Sequence, residues 1–135
     1  FVFENVKGIT IGKHAKFLDE LIGAFSSVGY KVLLPWRVLN AAHYGTPQNR
    51  ERLILVGCKH NRRLPAYPEA TTRIAGTDAG KGGLPEGPTC HDALGDLPDA
   101  ENYDALKTSD ATRASLGRAS VYARRLRGRL ADPGD

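Results

Sequence analysis

An uninterrupted apolar run near the middle of the chain, Leu-Ile-Leu-Val at residues 53–56, constrains the fold more than any other stretch. A run of this length is typical of a strand that is buried on both faces. We therefore predict a strand over residues 52–58. The segment before it, residues 40–51, holds the densest polar chemistry of the sequence. We expect the rest of the chain to be organised around these two segments.

Two arginines precede the apolar run. Side chains of an extended segment alternate between its faces, so Gln48, Arg50 and Arg52 share one face. Asn49 and Glu51 share the other face. Adjacent guanidinium groups repel each other, which favours an anion or a set of acceptors beside them. The alternative is that both arginines point into water, and the spacing alone leaves both interpretations open.

The N-terminal part of the chain predicts a strand followed by a helix. Residues 1–6 resemble the end of a buried strand and bring Glu4 and Asn5 to its carboxyl end. Ligands of open α/β sheets bind beyond such ends. Residues 13–28 carry apolar side chains at helical spacing, and Gly29 is a typical C-terminal stop. We expect the apolar side of this helix to pack on the sheet.

A second strand is predicted over residues 30–39, at an edge or bulged, because Pro35 removes a backbone donor. The short connection over residues 40–47 favours antiparallel pairing with the strand at 52–58. The opening strand-helix-strand unit favours a parallel sheet with a right-handed crossover.

The C-terminal half differs in composition. Residues 61–88 are rich in Gly, Pro, Arg and Thr and are predicted to be loop or linker. Short and long helices are predicted over residues 89–97 and 111–130. The longer helix is either a solvated basic helix, which its charge alone favours, or a contact surface for a nucleic-acid backbone. Its arginines are Arg113, Arg118, Arg124, Arg125, Arg127 and Arg129.

Composition sets broad limits on the class of protein. The 135 residues include 19 Lys and Arg against 15 Asp and Glu, and this net charge of +4 permits a polyanionic partner without requiring one. We predict no membrane segment and no zinc site, and we expect Cys58 and Cys90 to be reduced thiols in the cytoplasm. The chain has no methionine and opens within a strand-like run, so we expect a piece of a longer protein.

Three segments together resemble the DNA cytosine-5 methyltransferases. Glu-Asn-Val at residues 4–6 is similar to the sixth conserved motif of that family. Gln-x-Arg-x-Arg, which ends residues 44–52, is similar to the eighth. Residues 88–98 resemble the segment that leads toward the target-recognition region. The order and separation of the first two motifs make the resemblance specific.

The resemblance implies an α/β fold: part of a Rossmann-like, S-adenosylmethionine-dependent methyltransferase sheet, followed by a loop-rich, partly helical extension. Residues 1–60 would be the second part of the catalytic domain. Residues 61–88 would be a linker, and residues 89–135 would lead into target recognition. The implied partner is double-stranded DNA, in a bacterial, nucleoid-associated setting such as restriction-modification.

The family's chemistry implies a role for five side chains. A flipped cytosine is attacked at C6 by a cysteine thiolate, and C5 then takes the methyl group of S-adenosylmethionine. Glu4 matches the glutamate that meets the charge growing at N3, and burial would favour its protonated form. Arg52 matches the contact to the cytosine O2. Arg50 would brace the nucleophile loop or the DNA backbone, while Gln48 and Asn5 would orient the pocket.

Departures from the family pattern limit what this piece is expected to do alone. The Pro-Cys nucleophile motif would precede Phe1, and neither Cys58 nor Cys90 has that context. His43 stands where an acidic residue is usual. The glycine-rich cofactor loop and the late cofactor segment are also missing. We expect no cofactor bound to the fragment and no activity without the N-terminal half. The sequence does not determine the oligomeric state, and an oligomer of the fragment is one alternative.

Two rival interpretations stay open. The first is a non-catalytic nucleic-acid-binding fragment that uses Arg124, Arg125 and Arg127. The second is a structural α/β fragment with accidental motif matches, for which Glu4 and Arg52 would lie on opposite faces of the sheet. The sequence leaves open the DNA target and whether the protein is restriction-linked, solitary or phage-borne.

Overall fold

The computed structural model of the chain describes residues 1–74, 76 and 83–130. Part of the predicted linker, at 75 and 77–82, and the end of the chain, at 131–135, lie outside the described residues. The strands are β1 (Val2–Val6), β2 (Tyr30–Val32), β3 (Arg37–Asn40) and β4 (Glu51–Lys59); the α-helices are α1 (Lys13–Ser27), α2 (Cys90–Leu94) and α3 (Val121–Leu126); short 3-10 turns cover Lys7–Thr10, Ala41–Tyr44, Ala100–Asn102 and Asp104–Lys107.

Strand β4 is the centre of the sheet and pairs antiparallel with every other described strand. One edge of β4 binds β1, and the other binds β3 and then β2. The predicted antiparallel pairing of the second and third strands is therefore confirmed. Strands β1 and β2 run in the same direction, but β4 lies between them. The expected parallel pair is thus absent from the described strands, because the long central strand takes both as neighbours.

The predicted strand over residues 30–39, expected to lie at an edge or to bulge at Pro35, is interrupted there and forms two strands. The ladder breaks between β2 and β3, where the Leu34–Pro35 peptide bond is cis. Leu33 still donates its N–H to the Val56 carbonyl oxygen at 2.7 Å. Proline has no N–H to donate, so the backbone leaves the ladder and rejoins it at Arg37.

The core lies on one face of the sheet, where α1 packs. Leu18 of this helix meets Leu53 and Leu55 of β4, and all three side chains are fully buried. The predicted helix and its stop are confirmed, since α1 ends at Ser27 and Gly29 has a positive φ. Partly buried apolar residues surround this cluster: Phe3, Ile9, Leu21, Ile22, Phe25, Val32 and Trp36.

The opposite face of the sheet is less covered than the apolar run predicted. Ile54 and Val56 of β4 point to it and are only half-buried. Val2 of β1, which shares that face, leaves 69% of its surface exposed. The predicted burial of β4 on both faces is therefore wrong for the second face, and the predicted burial of β1 is wrong as well.

The predicted short helix over residues 89–97 forms as α2 and begins with reciprocal hydrogen bonds. The Thr89 hydroxyl oxygen accepts from the Asp92 N–H, and the Asp92 carboxylate accepts from the Thr89 N–H at 2.8 Å. That N–H, followed by the Thr89 hydroxyl, lowers the pKa of Asp92. The capping box defines where α2 starts.

The predicted helix over residues 111–130 is wrong in extent, because only α3 is helical. Ser120 caps α3 by accepting from the Ala123 N–H at 2.9 Å. Before it, Gly117 donates its N–H to the Asp96 carbonyl oxygen at 2.7 Å. These contacts fix a non-helical backbone before residue 121. No helix in the described part of the chain is long and apolar enough to cross a membrane.

We predict that Leu18→Ala lowers the free energy of unfolding by about 3 kcal/mol, because it leaves a cavity between α1 and the sheet. Phe17→Ala is the matched control, since Phe17 lies on the same helix with 52% of its surface exposed. Urea unfolding followed by circular dichroism measures both. Equal losses in the two variants would contradict this account of the core.

Candidate functional site

Glu4 and Arg52 meet on the face of the sheet opposite α1. The register aligns Glu4 with Ile54 and Val6 with Arg52, so both side chains point to the same face. Arg52 Nε lies 2.8 Å from Glu4 Oε1, and a second guanidinium nitrogen donates to the Glu51 carbonyl oxygen at 2.8 Å. Two contacts therefore orient the Arg52 guanidinium. The Glu4 side chain is 55% exposed, not buried as expected.

A cavity of about 330 Å³ opens on the Arg52 side of this ion pair, and Glu4 is not among the described residues that line it. Arg50 and Arg52 both line it, as expected if they share one face of an extended segment. The volume lies within the range of small-molecule pockets, roughly 300–1,000 Å³. The remaining walls are mainly apolar and consist of Leu39, Ala41, Tyr44, Ile54 and Pro68.

One wall of the cavity is formed by Pro68, which belongs to a segment, residues 67–72, that we call the strap. Tyr67 is buried and donates its hydroxyl to the Ile54 carbonyl oxygen at 2.7 Å. Its burial raises the pKa of the phenol. The Arg37 guanidinium lies 5.4 Å from the ring centroid, within cation–π range. These contacts hold the strap on the sheet, so Pro68 faces the two arginines.

The strap also binds the turn that precedes β4. Thr72 donates its hydroxyl to the Ala42 carbonyl oxygen at 2.7 Å and accepts from the Gly45 N–H at 3.1 Å. The Tyr44 hydroxyl donates to the Pro68 carbonyl oxygen at 3.3 Å. Sequence reasoning missed the strap, and the only signal for it is the Pro-Ala-Tyr-Pro run at 65–68, which favours an extended backbone.

Asn40 organises the turn and was also missed. Its side-chain oxygen accepts from the Ala42 and Arg50 N–H groups, both at 3.1 Å. Its side-chain nitrogen donates to Asn49 Oδ1 at 2.6 Å. The Asn40 side-chain amide therefore fixes the backbone on both sides of the turn, including the backbone of Arg50. Asn at a helix N-cap was the available signal.

The structure does not bring Asn5 or Gln48 to the walls of this cavity. Asn5 alternates with Glu4 along β1, so it faces the core side, where its side-chain oxygen accepts from the Val6 N–H at 2.8 Å. Gln48 is exposed and lines a separate cavity of about 170 Å³ with Arg73.

The three C-terminal arginines predicted to bind DNA have different surroundings. Arg127 donates to Asp96 Oδ1 at 2.8 Å and to the Ala123 carbonyl oxygen at 3.1 Å. Asp96 is buried, so this guanidinium is engaged within the protein. Arg125 is half-buried and lines a cavity of about 700 Å³ that Tyr44 also borders. Arg124 is exposed.

The two cysteines lie away from the Glu4–Arg52 contact. Cys58 donates to the Arg62 carbonyl oxygen at 3.3 Å, and Cys90 donates to the Pro47 carbonyl oxygen at 3.1 Å. Cys58 is six residues from Arg52 along β4, which corresponds to about 20 Å. Within the described residues, no group of three His, Cys, Asp or Glu side chains could hold a metal ion.

A mixed α/β domain with this paired carboxylate and guanidinium matches a known family over most of its length. Residues 1–124 match the family model of the C-5 cytosine-specific DNA methylases, and the chain belongs to that family. The resemblance inferred from the motifs is therefore confirmed.

Individual relatives are bacterial Type II methyltransferases. M.XorII of Xanthomonas oryzae pv. oryzae is 50% identical over the whole chain, which covers 28% of that protein. M.NgoFVII of Neisseria gonorrhoeae is 36% identical over 86% of the chain and 30% of that protein. M.BsuRI of Bacillus subtilis is 39% identical over 72% of the chain and 21% of that protein. The chain thus spans less than a third of each relative.

The family uses S-adenosylmethionine, but the residues around the cavity do not fit that cofactor. Its sulfonium sulfur is positively charged, and the cavity presents two guanidinium groups. A sulfonium cation in the cavity would be repelled by the guanidinium groups of Arg50 and Arg52. The same groups suit an electron-rich ring oxygen or a phosphate instead. We therefore do not assign this cavity to the cofactor.

We predict that Asp96→Ala lowers the free energy of unfolding by about 3–5 kcal/mol, because it leaves the partly buried Arg127 guanidinium without its partner. Asp104→Ala is the matched control, since its pair with Lys107 is largely exposed. We expect that control to change stability by less than about 1 kcal/mol. Thermal unfolding measures both variants, and similar midpoints would contradict a structural role for the Asp96–Arg127 pair.

Proposed function

We propose that this chain supplies the base-binding side of a DNA cytosine-5 methyltransferase. The proposed reaction moves a methyl group from S-adenosylmethionine to C5 of a cytosine flipped out of double-stranded DNA. The observation that carries the proposal is the 2.8 Å contact between Glu4 and Arg52 at the edge of a cavity. Membership of the family and the Type II methyltransferase relatives support it.

The pair suits the polar edge of cytosine. Cytosine presents two acceptors, O2 and N3, and one amino donor at C4. Arg52 can only donate, which fits O2. Glu4 in its protonated form donates to N3 through one oxygen and accepts from the amino group through the other.

The same arrangement explains why Glu4 promotes the reaction. Attack of a thiolate at C6 pushes electrons onto N3, and a proton donor there stabilises the charge as it forms. An oriented donor of this kind is typically worth a factor of about 10²–10³ in rate. Because β1 and β4 are paired strands, the donor and the O2 contact are held in one geometry before the base arrives.

The remaining residues have supporting tasks in this proposal. Arg50 lines the same cavity and braces the nucleophile loop or the DNA backbone. Asn5 and Gln48 act through the backbone at the ends of β1 and β4, since their side chains lie away from the cavity. Neither Cys58 nor Cys90 is the proposed nucleophile, because both lie apart from the Glu4–Arg52 pair. The chain alone is accordingly proposed to be inactive.

A second function, DNA binding without catalysis, draws on the exposed guanidinium of Arg124. Arg127 contributes little to such binding in this proposal, because Asp96 already holds it. The two functions differ in what they ask of Glu4. Only the methyltransferase requires that carboxyl, so its substitution separates them.

The test places the chain in a complete methyltransferase. The 135 residues replace the matching region of M.XorII, with which they align over their whole length. In this chimera we predict that Glu4→Gln lowers the single-turnover rate of methyl transfer to DNA by about 10²-fold or more, since the Gln amide can donate a hydrogen bond to N3 but has no acidic proton to share with it. Arg52→Ala is expected to have an effect of the same order, with DNA affinity largely kept.

Glu51→Gln is the matched control. Glu51 lies on β4 and pairs with Lys7, beyond the end of β1, at the same 2.8 Å distance, but its side chain points to the other face. We expect its substitution to change the rate by no more than about threefold, as for an exposed ion pair. An active chimera in which Glu4→Gln and Glu51→Gln behave alike would refute the proposed role of Glu4.

A further inference from the structure

Three arginines line a second cavity, separate from the one beside Arg52. The cavity measures about 560 Å³ and lies between residues 117–121 and the end of α3. Arg118, Arg124 and Arg129 contribute its charged walls. We call it the arginine cleft. All three side chains belong to exposed residues, so an incoming ligand can reach them from solvent.

Within residues 1–74, 76 and 83–130, no acidic side chain neutralises the charge of the arginine cleft. In the part of the chain that the structure describes, none of its three arginines forms an ion pair. Other arginines do: Arg52 pairs with Glu4, and Arg127 of the same helical region pairs with Asp96. The structure thus separates one inward, neutralised guanidinium from three outward ones.

Local backbone contacts hold the three arginines around one space. At the end of α3, Gly128 takes a positive φ of 64° and donates its N–H to the Arg125 carbonyl oxygen at 2.8 Å. The backbone N–H of Arg129 then donates to the Arg124 carbonyl oxygen at 2.8 Å. This closing turn folds Arg129 back beside Arg124. These backbone contacts fix the position of Arg129 relative to Arg124.

The other wall is fixed just as firmly. Gly117 donates its N–H to the Asp96 carbonyl oxygen, and the Ser120 hydroxyl donates to the Asp92 carbonyl oxygen. Both acceptors lie in or next to α2. Arg118 is thus held between two backbone anchors on a neighbouring helix.

Three like charges around one cavity repel each other unless an anion lies between them. Guanidinium groups match the oxygens of a phosphate group with paired hydrogen bonds, which favours phosphate over other anions. None of the described residues that line the cleft is aromatic, so they offer no ring on which a base could stack. The arrangement is suited to a backbone and not to a nucleobase.

We propose that the arginine cleft binds phosphodiester groups of the DNA backbone, independently of base sequence. The proposal rests on the proposed function for the choice of DNA as the polyanion. It assigns Arg118 and Arg129, together with Arg124, to one site, and it leaves Arg127 to the structural pair with Asp96.

The test measures how the DNA affinity of the 135-residue chain depends on salt. The triple variant Arg118→Gln, Arg124→Gln, Arg129→Gln keeps polar side chains and removes three positive charges. The control triple variant, Arg62→Gln, Arg63→Gln, Arg113→Gln, removes the same charge from exposed positions that do not line the cleft. Fluorescence anisotropy with a labelled duplex gives the affinity of each protein between 50 and 200 mM salt.

We expect the cleft variant to lower the slope of log affinity against log salt by about 2.7, which is about 0.9 for each of three phosphates. The unmodified chain would then lose about 40-fold more affinity than the variant over that salt range. The control should change the slope by less than about 1. Equal slopes for the two triple variants would overturn the proposal.

Two further arms separate the possible failures. Calorimetry with inorganic phosphate tests a free-anion site: phosphate binding with an unchanged DNA slope overturns the assignment to DNA. Methyl transfer by the M.XorII chimera tests the proposed function separately. If Glu4→Gln slows the chimera but the cleft triple variant leaves the salt slope of DNA affinity unchanged, this inference alone is refuted. A cleft-dependent slope with a normal Glu4→Gln rate would refute the proposed function alone.

Discussion

The structure depends on one strand that is hydrogen-bonded along both edges. Because β4 pairs with β1 on one side and with β3 and β2 on the other, its backbone direction fixes where every neighbouring side chain points. Alternate residues of β4 then have different tasks. Leu53 and Leu55 pack against α1, while Arg52 and Ile54 form part of the wall of the candidate-site cavity. The core and the candidate site therefore lie on opposite faces of the nine-residue strand β4. Packing of the core holds the same backbone that positions the residues of the site.

Most polar groups around the cavity are positioned by backbone hydrogen bonds. Asn40 connects both ends of the turn, and Thr72 binds the turn to the strap. The three arginines of the arginine cleft face solvent, and hydrogen bonds of Gly117, Ser120 and Gly128 hold the segments that carry them. In the proposed function, the molecule combines a pocket for one small ring with an exposed cationic surface for a long polyanion. A DNA methylase needs both kinds of surface, since affinity for DNA comes mainly from the backbone and chemistry occurs at one base.

The sequence predicted those features whose causes are local. Strand β4 and helix α1 follow from apolar periodicity, and the Glu4–Arg52 contact follows from the motif resemblance. The break at Pro35 was expected only as a bulge. The strap was missed because it depends on Tyr67 reaching a carbonyl thirteen residues earlier. The long basic helix was overestimated for a similar reason, since a distant backbone contact and a serine cap replace its first half. Strand alternation alone would have placed Asn5 on the face away from Glu4.

The two ion pairs near the ends of β1 and β4 have opposite polarity. On one face the acid belongs to β1 and the base to β4, whereas beyond the strand end Lys7 meets Glu51. A misaligned sheet, displaced by a single residue, would swap the faces of one strand relative to the other. Glu4 would then share a side with Glu51, and Lys7 would share a side with Arg52. Attraction at two points would become repulsion at two points, so these four charges disfavour a displacement of the two strands by one residue.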